Sequence, residues 1–234
     1  MILEVTEIDT YYGISHILFG VSLSADQGDV VALLGRNGAG KTTTMRSIMG
    51  LTPPRRGSIK FRGAEIARRE AHLVARDGIG YVPADRRIFG KLTVRQNLEM
   101  AQKPNPRGES RWSVDRIHEL FPKLRDLDSH KGRTLSGGEA QMLATARTLM
   151  GNPDLLLLDE PSTGLAPLIV KALGDQVVKL KAEGLSVILA EQNAKFGMSI
   201  SDRCYLIDKG TIRYTGTIEE LRQQEQLMHA YLAV

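Results

Sequence analysis

Cys204 is the only cysteine in 234 residues, so no internal disulfide is possible and a reducing compartment fits. No partner motif surrounds it, and the thiol is expected to pack in a core. No apolar run approaches the roughly 18 residues that a membrane-crossing helix needs. The opening MILEVTEIDTYYG carries acids early and lacks a long apolar core, so no secretory leader is expected. The histidines (16, 72, 118, 130 and 229) cluster nowhere, which leaves metal or histidine-nucleophile chemistry unsupported. A zinc pattern, an aromatic–basic RNA-binding motif, a sustained heptad, an internal repeat and a low-complexity tract are all missing. A nucleic-acid partner is therefore not expected.

What remains is ordinary globular material, 42% hydrophobic and 25% charged, enough for one sizeable domain or a domain with a subdomain. The net charge of +4 is mild. Arginines gather in PPRRGSIKFRG (53–63), ARREAHLVAR (67–76) and DRR (85–87), a pattern that suits a solvated surface or attraction to an anionic membrane face or a nucleic acid, the last with no motif behind it.

Short apolar runs bounded by turns recur at VVALLG (30–35), IGYVP (79–83), LLLLD (155–159) and SVILA (186–190). They do not alternate, as befits strands covered on both faces, and helical patterns lie between them. An α/β fold with a mainly parallel sheet is predicted. MILEVTEI, SIKFRG and CYLIDKGTIRYTG alternate more and predict antiparallel pieces, the last a hairpin turned at Lys209-Gly210. Residues 86–153 hold helical patterns, TVRQNLEMA (93–101) and VDRIHELFPKL (114–124), around a loop at 102–110. They read as a helical subdomain inserted into an α/β core made of 1–85 and 154–234, with Trp112 and Phe121 as its packing residues.

GRNGAGKTT (35–43) follows an apolar strand and opens a helix, which is the setting a G-x-x-x-x-G-K-[ST] phosphate loop requires. Glycines 35, 38 and 40 permit turns that a Cβ would obstruct, so loop N–H groups can wrap phosphates. Lys41 is placed to reach the β and γ oxygens, and Thr42 to hold Mg²⁺. The nucleotide-binding set is Gly35, Arg36, Asn37, Gly38, Ala39, Gly40, Lys41, Thr42 and Thr43. LLLLDE (155–160) supplies the second half: Asp159 for Mg²⁺ and Glu160 to polarise an attacking water. Together they spell a nucleoside-triphosphate hydrolase.

TLSGGEAQ (134–141) adds a second anion-binding turn at a helix start. Such a turn makes sense if Ser136, Gly137, Gly138 and Glu139 serve a partner's ATP in a head-to-tail pair. Here the chain resembles the ATP-binding cassette (ABC) ATPases: LSGGE resembles their signature, GRNGAGKTT their Walker A and LLLLDE their Walker B, in matching order and spacing. The resemblance places Tyr12 against adenine, with Tyr11 the competing choice. It also puts Gln192 where a histidine usually contacts the γ-phosphate, and Ala84 where a metal-sensing glutamine usually stands, with Asp85 as its candidate replacement.

DEPSTGLAP, VPADRRIFGKLTVRQNL and AEQN are similar to the shorter ATP-binding subunit of branched-chain amino-acid importers, and cassettes of urea and short-amide importers are similar too. That resemblance implies ATP and Mg²⁺ as cofactors, two membrane-spanning permeases, a companion cassette (or a second copy) and, indirectly, a periplasmic solute-binding protein. It also implies a peripheral position on the cytoplasmic face of a bacterial inner membrane. An ABC protein acting on ribosomes or DNA is the remote alternative. Such translation factors normally carry two cassettes per chain, and such repair proteins long coiled coils.

Overall fold

A computed structural model of the chain describes residues 1–105 and 108–232. The predicted loop at 102–110 therefore lies partly outside the described residues. The strands are β1 (Leu3–Tyr12), β2 (Ser15–Ala25), β3 (Val30–Leu34), β4 (Arg56–Phe61), β5 (Ala64–Glu65), β6 (Ile79–Val82), β7 (Leu155–Asp159), β8 (Ser186–Glu191), β9 (Arg203–Asp208) and β10 (Thr211–Thr217). The helices are α1 (Lys41–Ile48), α2 (Ala71–Arg76), α3 (Val94–Glu99), α4 (Val114–Leu120), α5 (Pro122–Asp126), α6 (Gly137–Leu149), α7 (Pro167–Ala182), α8 (Ala194–Ile200), α9 (Ile218–Arg222) and α10 (Glu225–Leu232).

The six-stranded sheet runs β10-β9-β3-β8-β7-β6. All its neighbours pair in parallel except β9 and β10. Every residue of β3, β7 and β8 is buried, because both faces of these strands are covered. Strand geometry then divides alternate residues between two cores. Leu155 and Leu157 join a cluster with β1 and α1, whereas Leu156 and Leu158 join one with Trp112, Phe121 and Leu143. The predicted hairpin is present, with Lys209 and Gly210 both at positive φ (46° and 74°) between β9 and β10.

The antiparallel sheet β2-β1-β4-β5 caps one side of this core. Leu3, Val5 and Ile8 of β1 point into it and the residues between them outward. Cys204 packs with Leu34, Leu206 and Leu221 in a third cluster, where burial pushes its thiol up to about 12.

Between β6 and β7 the chain leaves the sheet and forms α3 to α6. Trp112 and Phe121 are buried there, as expected, and share one apolar cluster with the sheet's own leucines. The single helical stretch predicted from VDRIHELFPKL splits into two. Phe121 leaves helical geometry (φ −123°, ψ 71°), and Pro122 restarts the chain as the first residue of α5. The residue before a proline is driven out of the α region, which accounts for the break.

Candidate functional site

In an open α/β sheet, the loops that leave the carboxyl ends of adjacent strands form a natural ligand crevice. Here β3, β8 and β7 lie side by side and end in 35–40, Glu191–Gln192 and Asp159–Glu160. Two backbone bonds stitch these ends together: Gly35 N–H donates to the Glu191 carbonyl at 3.3 Å, and Glu160 N–H to the Ala190 carbonyl at 2.8 Å. The crevice is thus one assembled unit in which the phosphate loop meets two strand ends more than a hundred residues further along the chain.

The 35–40 loop carries β3 into α1. Gly35 spends its N–H on Glu191, so it anchors the loop's root. Gly40 is the N-cap of α1 in a left-handed conformation, φ 114°, and a Cβ there would sit 2.8 Å from Leu18 Cδ2. That position demands glycine. No side chain caps α1, which leaves its first turn to receive an anion. Arg36, Asn37 and Gly38 are exposed, whereas the Ala39 side chain is buried in the core and Thr43 is buried with it. Lys41 is 3% exposed, and its ammonium donates to the carbonyls of Gly35 (2.9 Å) and Arg36 (3.1 Å) and pairs with Glu160 at 3.0 Å.

Asp159 is fully enclosed. Thr42 donates its hydroxyl proton to one carboxylate oxygen at 2.9 Å, and Tyr81 to the other at 3.0 Å. Burial raises the Asp159 carboxyl above the ordinary carboxylate range, and the two hydroxyls only partly offset this. Burial, and then the Asp159 charge, push the Tyr81 phenol far above its usual value, so it stays a donor. A hydroxyl and a carboxylate in contact, both hard oxygen donors, fit Mg²⁺, which takes one or two protein ligands and fills its octahedron with phosphate oxygens and water. Among the described residues no group of three or more His, Cys, Asp or Glu side chains could hold a metal, so any such ion would depend on the nucleotide for further ligands. Glu160 follows at φ 48°, a left-handed conformation uncommon for a residue with a side chain.

Gln192 is exposed at the end of β8, and Tyr12 is 45% exposed at the end of β1. Tyr11 is already engaged: its ring stacks on His16 at 4.1 Å and lies under Arg55 at 4.3 Å. Of the two tyrosines, Tyr12 is the one with an open face. Asp85 is exposed and paired with Arg87 at 2.9 Å.

The 135–139 turn opens α6. Ser136 is its N-cap, accepting from Glu139 N–H at 3.4 Å, while the Glu139 carboxylate accepts from Ser136 N–H at 2.8 Å. This reciprocal box occupies Glu139 inside the turn, where it acts as a brace. The Ser136 N–H holds the Glu139 carboxyl below its ordinary range. Ser136 and Gly137 face solvent, whereas Gly138 is buried: a Cβ there would meet Ile169 Cγ2 at 2.8 Å. Gly138 thus lets α6 pack closely on α7.

A family model described as ABC transporter matches residues 18–163, which span the phosphate loop, the 135–139 turn and Asp159–Glu160. The chain belongs to the ABC transporter family. The high-affinity branched-chain amino acid transport ATP-binding protein BraG of Pseudomonas aeruginosa is 38% identical over 98% of this chain and 99% of its own length. The lipopolysaccharide export system ATP-binding protein LptB of Haemophilus influenzae is 34% identical over 99% and 97%. Among solved structures, an ATP-binding cassette of an ABC transporter in its ADP conformation superposes with a TM-score of 0.82 at 27% identity, covering 97% of each chain. The chain is therefore an ABC ATPase, an ATP-binding subunit whose hydrolysis is coupled to transport. Cassettes of this kind pair and work with membrane-spanning components. Among its own described residues, no helix is long and apolar enough to cross a membrane.

Three side chains of this ABC ATPase were not picked out from sequence. Tyr81 secures Asp159 from 78 residues away. Glu191, fully buried, accepts Ser162 N–H at 3.0 Å from the loop that follows Glu160. Arg86, at φ 62°, donates to Gln141 on α6 (3.1 Å) and to the Thr163 carbonyl (3.2 Å), tying the signature helix to that same loop. The only local hint was a tyrosine inside a buried strand and a glutamate closing one. Their partners are distant in sequence.

Proposed function

We propose that this chain is the ATP-hydrolysing subunit of an importer for branched-chain amino acids. It sits on the cytoplasmic face of a bacterial inner membrane and pairs head to tail with a companion cassette. The end-to-end match to the Pseudomonas aeruginosa branched-chain amino acid subunit carries the substrate assignment. Lipopolysaccharide export is the second reading, favoured by the Haemophilus influenzae relative.

In this reading the uncapped first turn of α1 and Lys41 take the β and γ phosphates, and Tyr12 stacks on adenine. Thr42 and Asp159 would hold Mg²⁺, which would supply charge neutralisation at the phosphates. Glu160 accepts a proton from the attacking water, and Gln192 orients that water and donates to the γ-phosphate. The exposed Ser136–Gly137 turn serves the ATP lying on the other cassette. ATP then touches both cassettes when they are closed and only one when open, and this differential binding drives closure. Residues 86–153 act as the inserted subdomain that carries the turn.

The permease meets the cassette at an apolar cleft of about 460 Å³ between α1, β6 and α6, lined by Leu51, Phe89, Met100 and Arg147. Leu51, Phe89 and Met100 are 41%, 47% and 61% exposed there, which suits an apolar helix end from a membrane partner. A periplasmic binding protein delivers the solute to that permease.

Uptake decides between the two cargoes. Lys41→Ala introduced at the chromosomal locus is expected to abolish uptake of radiolabelled leucine, isoleucine and valine. Normal uptake together with lipopolysaccharide retained in the inner membrane would establish the export reading.

A further inference from the structure

The site described so far uses Glu160 and Gln192 for chemistry and leaves one buried carboxylate unused. Glu191 is 0% exposed. One of its oxygens accepts Ser162 N–H at 3.0 Å, and the other accepts Asn193 N–H at 3.2 Å. Its own carbonyl accepts Gly35 N–H at 3.3 Å. A single residue therefore holds the root of the phosphate loop, the loop two residues beyond Glu160, and both flanks of Gln192.

We propose that Glu191 is a positioning residue for ATP hydrolysis, locking Gln192 and the 160–166 loop into one fixed relation to the phosphate loop. The inference rests on the reading of Glu160 and Gln192 as the groups that face the γ-phosphate. Chemistry explains why a carboxylate is needed here. Two backbone N–H groups converge on it from different loops, and only a side chain with two acceptor oxygens satisfies both. Glutamine of the same length offers one acceptor and turns an NH₂ donor toward the second N–H. Leucine would leave both N–H groups without their acceptor, the Ser162 one in a buried setting. Enclosing a carboxylate is costly, and burial raises this one above its ordinary range despite its bonds.

Positioning of this sort acts on turnover and leaves ground-state binding alone, since a small displacement of a catalytic group is felt most in the transition state. The test compares wild type with Glu191→Gln in the assembled transporter and in the full-length chain. ATPase kcat is expected to fall about tenfold or more, with KM and the ATP affinity of the chain held to within about twofold. Amide hydrogen exchange is expected to quicken only in peptides covering 160–166 and 191–195. Should Glu191→Gln fold poorly, Glu191→Asp keeps the charge and both acceptors one methylene short, and the same pattern is expected at smaller size. Unchanged kcat overturns the proposal. So does a loss of ATP affinity with exchange quickened throughout the chain, which would make Glu191 a plain core support. Gln192→Ala hydrolysing ATP at the normal rate would instead count against the underlying site assignment, whatever Glu191 does.

Discussion

Lys41 and Glu160 face each other at 3.0 Å, yet their substitutions separate binding from turnover. Lys41→Ala removes charge-assisted bonds worth about 1.5–3 kcal/mol each, so ATP affinity measured by calorimetry is expected to fall about tenfold or more. Glu160→Gln keeps the shape and loses the base. Hydrolysis is expected to slow by about 10²–10⁴-fold with ATP still bound, read in single turnover with the companion site silenced. Hydrolysis at the wild-type rate in that background would move the water-activating role elsewhere. Gln192 does not titrate near neutral pH, so Gln192→His is expected to add a limb to the pH–rate profile near pH ~6.5, while Gln192→Ala slows turnover. Lys41 and Glu160 were singled out by local signals, a glycine spacing after an apolar strand and two acids closing another, and Gln192 through the family resemblance alone. Tyr81 and Glu191 were not, because a hydroxyl that reaches across 78 residues and a carboxylate that reaches across 29 leave no pattern in either segment.

The start of α6 shows what a whole element contributes. Its capping box satisfies two N–H groups and fixes the turn that Ser136 presents to solvent. Glu139 has a lowered pKa in the fold, chiefly through the Ser136 N–H, so its charge adds stability above the ordinary carboxylate value. That contribution fades as pH falls through the lowered value. Glu139→Gln keeps the box and deletes the charge. It is expected to lower the unfolding free energy by up to about 1 kcal/mol at neutral pH, the scale of a first-turn charge, and by nothing at acid pH. Denaturant melts at the two pH values check this, and an equal loss at both would show that the charge is idle. Elements were partly legible. The buried runs became β3, β7 and β8, since unbroken apolar residues fit a strand covered twice. The α4–α5 break was missed although Pro122 announced it, because apolar spacing continues smoothly through Phe121.

Across the whole molecule, the two faces of one sheet carry the two cores that the phosphate loop and the signature turn depend on. The chain order of strands and the inserted helices could be read from composition and period. That the helices share a cluster with the sheet's own leucines could not, because it depends on which face each leucine takes. The cleft edged by Met100 belongs to this scale too. Met100→Lys places a cation in its apolar rim and is expected to abolish co-purification with permeases while leaving ATP affinity within about twofold. Retained co-purification would move the docking site. On the proposed reading the exposed Ser136–Gly137 turn works on another cassette's ATP, and Ser136→Arg puts this to the test. Titration of ATP into the isolated, folded variant is expected to give wild-type affinity, while ATPase activity of the assembled transporter is lost, because the arginine blocks the closed interface and leaves the chain's own cradle untouched. Loss of ATP binding by that isolated variant would contradict the account.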